Sequence, residues 1–187
     1  MKKIAAHYWL RPDGTVGKFP VITFHSDNRI AQIRERESFE EEEALLLVNG
    51  FLIPGLVDYA ICNPLALDKN ALKKYLNRIT IAGIRGLGVP ENMYIRLQEV
   101  NPGNLILIET LTAMDRQEDI MGFEKIKAAK DSMAELKKLT VSNAQSLGVN
   151  QMLGSLEVGK APGLMAISKL DYSTFCVDKK SKLKIIM

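Results

Sequence analysis

The chain has 187 residues, 47% of them hydrophobic and 25% charged, a make-up that suits a globular core and excludes intrinsic disorder. Its net charge of +3 comes from interspersed lysines and glutamates, and only 6% of residues are aromatic, so neither a basic track nor a stacking surface for nucleic acid is expected. Cys62 and Cys176 are too few for a disulfide framework and point to a reducing cytoplasm, and no apolar run reaches the ~20 residues of a membrane span.

From the N-terminus, residues 3–10, 19–25 and 29–34 read as strands, separated by the turns Pro12-Asp13-Gly14 and Asp27-Asn28, which predicts a β-meander. The apolar stretch at 4–10 is cut by Arg11-Pro12 and is too short for a signal peptide. The chain's two histidines, His7 and His25, fall in this block and read as surface or hydrogen-bonded strand residues. Residues 35–43, ERESFEEEE, form a solvated charge run. Two buried strands, 45–48 and 51–53, then flank Asn49-Gly50, the pair a two-residue hairpin favours. Pro54-Gly55 stops the second, and a third strand over 56–61 ends at Cys62-Asn63-Pro64. Cys62 is either a small buried apolar residue or a reactive thiol.

The spacing changes at residue 67: Leu72, Leu76, Ile79 and Gly83 fall on one helical face with Lys69, Lys73 and Asn77 opposite, predicting a helix over 67–84. Gly86, Gly88 and Pro90 are read as ending it. The string GIRGLG at 83–88 follows a helix instead of opening one, so it reads as a cap and turn and not as a phosphate loop. A short helix over 91–100, a turn over 101–104 and a buried strand over 105–109 follow, giving at most one βαβ-like unit. Asp115, Glu118 and Asp119 suit the N-terminus of a helix over 118–130. Ser132 to Glu135 has the spacing of a capping box for the next helix. Strands are expected at 164–168, 174–177 and 182–186, the last lysine-rich and edge-like.

Two strings resemble the opening and closing signatures of the amidohydrolase superfamily of metal-dependent hydrolases. The first is Pro54, Gly55, Leu56, Val57 and Asp58; the second is Thr140, Gly148, Gly154, Ser155, Leu156, Glu157, Gly159 and Lys160. Residues 28–33 also resemble a strand of that family, with Asn28 for its glycine, and Pro162-Gly163 stands where the family has Ala-Asp. The resemblance implies an α+β fold, with a composite β-sandwich built from 1–59 and 149–187 and a truncated α/β insert at 60–148. Eighty residues separate Asp58 from Leu139, whereas a closed (β/α)8 barrel takes about 250. The family's His-x-His metal pair falls on Ala60 and Cys62, and Ala60 has no lone pair to give. The resemblance therefore implies no catalytic, cofactor or metal residue, and leaves Pro54, Gly55, Asp58, Thr140, Gly148, Gly154, Ser155, Glu157, Gly159 and Lys160 as family-motif positions.

The reading that follows is a structural or regulatory interaction protein, a pseudoenzyme without a cofactor. It is expected to be a homodimer, because the apolar face at Leu72, Leu76 and Ile79 has only one small sheet to pack on. A full-length amidohydrolase is a further candidate partner; nucleic acid and membrane are not. The alternative keeps a zinc-dependent hydrolase of non-peptide carbon–nitrogen bonds with an atypical or subunit-shared site.

Overall fold

The computed structural model describes residues 1–38, 42–60, 68–101, 103, 105–110 and 120–187. The N-terminal strands build two sheets and not one meander. Strand β1 (Lys2–Ala5) lies in a four-stranded sheet of order β5-β4-β1-β6, with β4 (Pro20–Phe24), β5 (Ile30–Glu35) and β6 (Leu45–Leu47). Strand β2 (Tyr8–Leu10) lies in a five-stranded sheet of order β12-β11-β7-β2-β3. Its other members are β3 (Val16–Lys18), β7 (Phe51–Pro54), β11 (Leu164–Ser168) and β12 (Lys182–Ile185).

The chain crosses between these sheets three times, and two of the crossings run side by side. β1 pairs in parallel with β6 and β2 in parallel with β7, so the crossings at Ala6-His7 and at Val48–Gly50 run together. This corrects the expected hairpin at Asn49-Gly50. Gly50 has φ +137°, and a Cβ there would stand 2.6 Å from the Ile167 carbonyl oxygen, so the glycine serves a close backbone approach at a sheet crossing. β6 is also mainly exposed, not buried. Alternation decides which core each strand serves. Leu52 and Ala166 point with Ile4, Ile22, Phe24 and Ile30 into the space between the two sheets. Phe51, Ile53, Met165 and Ile167 point the other way, into a core shared with the helices. The two chain ends thus meet in one sheet: β11 lies between β7 and β12, one strand removed from β2. Residues 174–177 form no strand, only a bridge between Asp171 and Cys176.

A third sheet is parallel, of order β10-β9-β8, from β8 (Leu56–Tyr59), β9 (Ile84–Pro90) and β10 (Ile106–Thr110). Helices α1 (Lys69–Ile81) and α2 (Glu91–Gln98) are its crossovers, giving two βαβ units where one was expected. Asp68 caps α1, accepting the Ala71 N–H at 2.8 Å. Gly86 and Gly88 lie inside β9 and do not end the helix. A Cβ on Gly86 would meet Leu153 at 2.8 Å, and one on Gly88 would meet Leu147 and Tyr59 at 2.9 Å, so these glycines admit side chains from the closing segment.

Leu76 is 0% exposed and Leu72 and Ile79 are buried with it, packed in the core that holds Leu56, Ile84 and Leu87. The chain itself covers this face, so the argument for a dimer from α1 falls. Helix α3 (Phe123–Ala128) is shorter than expected, and α4 (Ser132–Lys137) is capped by Asp131, not by Ser132. The Ser132 hydroxyl instead accepts the Val177 N–H at 3.0 Å. A π-helical turn (Lys138–Ser142) joins α4 to α5 (Asn143–Ser146), so Thr140 lies within the helix. The architecture is α+β, and no barrel closes among the described residues.

Candidate functional site

In parallel α/β sheets, sites form beyond the carboxyl ends of the strands. Here those ends are Tyr59, Pro90 and Thr110. Asp58, one residue before the end of β8, is 0% exposed. Its carboxylate accepts the Lys125 ammonium at 2.9 Å, the Gly122 N–H at 3.2 Å and the Tyr59 N–H at 2.9 Å. Lys125, on α3, is itself 5% exposed. Gly122 takes φ +50° where a Cβ would stand 2.4 Å from the Ala82 carbonyl oxygen, so only glycine brings this N–H so close. Asp58 is thereby committed to tying β8 to α3. Lys125 is absent from the sequence reading; an aspartate within the apolar run LVDYAI demands a buried cation, but nothing in spacing selects which.

Ala60 follows β8 with its N–H on the Gly88 carbonyl at 2.8 Å and is 8% exposed, its methyl group in the apolar core. The Ala60 side chain offers no ligand atom to a divalent cation. Cys62, Asp115, Glu118 and Asp119 lie outside the described residues. His7 and His25 are exposed on the sandwich, His7 at the crossing from β1 to β2 and His25 just after β4. Among the described residues, no three His, Cys, Asp or Glu side chains stand together as a metal site.

The other face of the parallel sheet is filled by the closing segment. Val57, Ala144 and Leu153 are buried together, with Ile106, Leu147 and Val149 packed against them, over the positions that Gly86 and Gly88 leave open. The outer edge of β8 is sealed as well: Asn143 Nδ2 donates to the Val57 carbonyl at 2.8 Å, and the Gly55 N–H donates to the Pro162 carbonyl at 3.1 Å.

The other motif residues shape backbone. Pro54 ends β7, and Gly55 lies where a Cβ would meet the Pro162 oxygen at 2.5 Å. Buried Thr140 donates its hydroxyl to the Leu136 carbonyl at 2.7 Å. Gly148, Gly154 and Gly159 take φ of 68°, 89° and 88°, and the Gly159 N–H donates to the Ile30 carbonyl, tying this loop to β5. Lys160 donates to the Ser155 hydroxyl at 2.7 Å and to Glu157 Oε2. The Lys160 hydrogen bond, then that of Ser155, holds the Glu157 carboxyl below its ordinary range.

No family model and no curated protein matches the chain. Among solved structures it is similar to the ochratoxinase of A. niger, at TM-score 0.44 and 14% identity over 58% of this chain and 30% of that one. It is also similar to the N-acetyl-D-glucosamine-6-phosphate deacetylase of Mycobacterium smegmatis, at 0.43 and 15% over 58% and 32%. The guanine deaminase of Bradyrhizobium japonicum aligns at 0.42 and 13% over 73% and 40%. The chain spans less than half the length of each. Among the described residues, no helix is long and apolar enough to cross a membrane.

Proposed function

We propose that this chain is an amidohydrolase-like protein that does not hydrolyse a substrate and acts as a structural or regulatory partner of other proteins. The observation that carries this reading is the filling of the parallel sheet. The position that the resemblance gives to the first metal histidine holds the buried Ala60, and the opposite face is packed with Leu147 and Leu153. Asp58, the carboxylate buried near the end of β8, is already engaged by Lys125, Gly122 and Tyr59.

A partner role is supported by β10. Parallel strands are ordinarily buried on both faces, yet Ile106, Leu107 and Ile108 are all half-exposed, and β10 has one strand neighbour among the described residues. The reading takes a second copy of the chain, or a full-length amidohydrolase, as the partner at this edge, in the reducing cytoplasm that the cysteine content suits. The test joins metal analysis to sedimentation. The purified protein is expected to carry no stoichiometric zinc, to leave amides, lactams and amino-heterocycles intact, and to associate in a way that Ile108→Glu weakens. Stoichiometric zinc together with turnover lost on chelation would establish the zinc-dependent hydrolase instead.

A further inference from the structure

Away from the parallel sheet, a cleft of about 370 Å3 opens between Pro12 in the β2–β3 turn, the end of α5 and the loop at 150–160. That volume lies within the range of about 300–1,000 Å3 typical of small-molecule sites. Its wall is fixed: a Cβ on Gly154 would stand 2.5 Å from that of Ala144, so the loop is pressed on the helix with no side chain between.

The charged part of the cleft is Ser155, Glu157 and Lys160. Two of the three ammonium protons of Lys160 are engaged, by Ser155 and by Glu157 Oε2, and Ser155 meets that same Oε2. Oε1 of Glu157 and the third Lys160 proton take no partner among the described residues. Around them stand Gln145, Asn150 and Gln151, whose carboxamides make no hydrogen bond among the described residues. Each carboxamide offers both a donor and an acceptor. The remaining lining is aliphatic, with Val141 and Leu153, and no aromatic ring lines the cleft.

We propose that this cleft binds a free α-amino acid as its zwitterion, carboxylate on Lys160 and ammonium on Glu157 Oε1, with the carboxamides reading its side chain. The charge of the lining selects the class. Lys160 and Glu157 cancel, so a simple anion or cation gains little net attraction, whereas a ligand with both charges on one carbon complements both. The aliphatic walls lack the flat aromatic face on which a sugar ring would stack. Hydrogen bonds from Lys160 and then Ser155 hold the Glu157 carboxyl below its ordinary range, so it is a carboxylate at neutral pH. This inference is independent of the proposed loss of catalysis.

The experiment is a titration of the 15N-labelled full chain with L-alanine, L-serine and L-glutamine, followed at the side-chain amides of Gln145, Asn150 and Gln151. Saturable shifts are expected with L-glutamine or L-serine. N-acetyl-L-glutamine and L-glutaminamide, each lacking one charge, should bind at least about tenfold more weakly, the loss of one charge-assisted hydrogen bond. Gln151→Ala, at an exposed position, should weaken binding without moving the melting temperature, and Lys160→Gln should abolish it. No saturable shift with any of the three amino acids, equal binding of the capped derivatives, or saturable shifts with glucose or phosphate in their place would overturn the proposal.

Discussion

Replacing Lys125 with methionine is expected to be the most damaging conservative change in the parallel sheet. The side chains are of similar length and the site is fully enclosed, so packing survives while Asp58 loses the cation that stands against it at 2.9 Å. Two backbone donors remain, from Gly122 and Tyr59, which hydrogen-bond the carboxylate but do not neutralise it. Removing one partner of a buried pair costs about 3–5 kcal/mol, against a total stability of roughly 5–15 kcal/mol for a domain. With a urea slope of about 2 kcal/mol per molar, the midpoint should fall by about 2 M at unchanged slope. Asp58→Asn in the Lys125→Met background removes the stranded charge and should restore most of the loss. A Lys125→Met protein within about 1 kcal/mol of wild type, or a double variant no more stable than the single, would refute the assignment of Asp58 and Lys125 as a coupled strut.

Gly122→Ala should destabilise more than Gly88→Ala: the first sets a Cβ against a backbone oxygen at positive φ, the second meets the movable tips of Leu147 and Tyr59 and should cost about 1–3 kcal/mol, partly recovered by Leu147→Ala; thermal melts give the order. Asn143→Ala leaves the Val57 carbonyl without its donor and should cost about 1–3 kcal/mol, with faster amide exchange along β8. The Glu35 carboxyl is held below its ordinary range first by the Arg11 hydrogen bond and further by Trp9. Its contribution is therefore present above the unfolded value of about 4.3 and lost as pH falls through the lowered folded one. Glu35→Gln should flatten stability across that acid window, read by the fluorescence of Trp9, the single tryptophan; an unchanged acid limb would show that this pair does not contribute.

The elements with local signals were legible. The helical face at Leu72, Leu76 and Ile79, the strand Leu164–Ser168 and the edge strand Lys182–Ile185 lie where periodicity puts them. The failures share a cause: each depends on what a residue meets from far along the chain. Asn49-Gly50 has hairpin chemistry, but the β11 backbone beside Gly50 and the pairing of β6 with β1 turn it into a crossing. Gly86 and Gly88 look like helix breakers until Leu153 and Leu147 arrive from some sixty residues later to occupy the space they leave. Ser132 and Glu135 have the spacing of a capping box, yet Asp131 is one residue better placed, and Ser132 is drawn off to Val177. Asp58 was legible as part of the opening motif, whereas its partner Lys125 was not, because a buried salt bridge leaves no periodic trace.

An open parallel sheet has to satisfy the backbone edge that a closed barrel would pair with its next strand. At β8 that edge is met piecemeal: a carboxamide from Asn143, the carbonyl of Pro162, and the carboxylate of Asp58 turned back onto the Tyr59 N–H. A side chain can cap an edge only if its helix lies along it, and the π-helical turn before Asn143 makes this possible. By widening one turn it changes the helix face, so that Leu136 and Leu139 bury in the core that holds α1 while Ala144 buries on the opposite side of β8 with Leu153. The helix thus straddles the edge, and the chain that follows it lays Leu147 and Leu153 over Gly88 and Gly86. Sealing the edge and filling the sheet face are therefore one structural event.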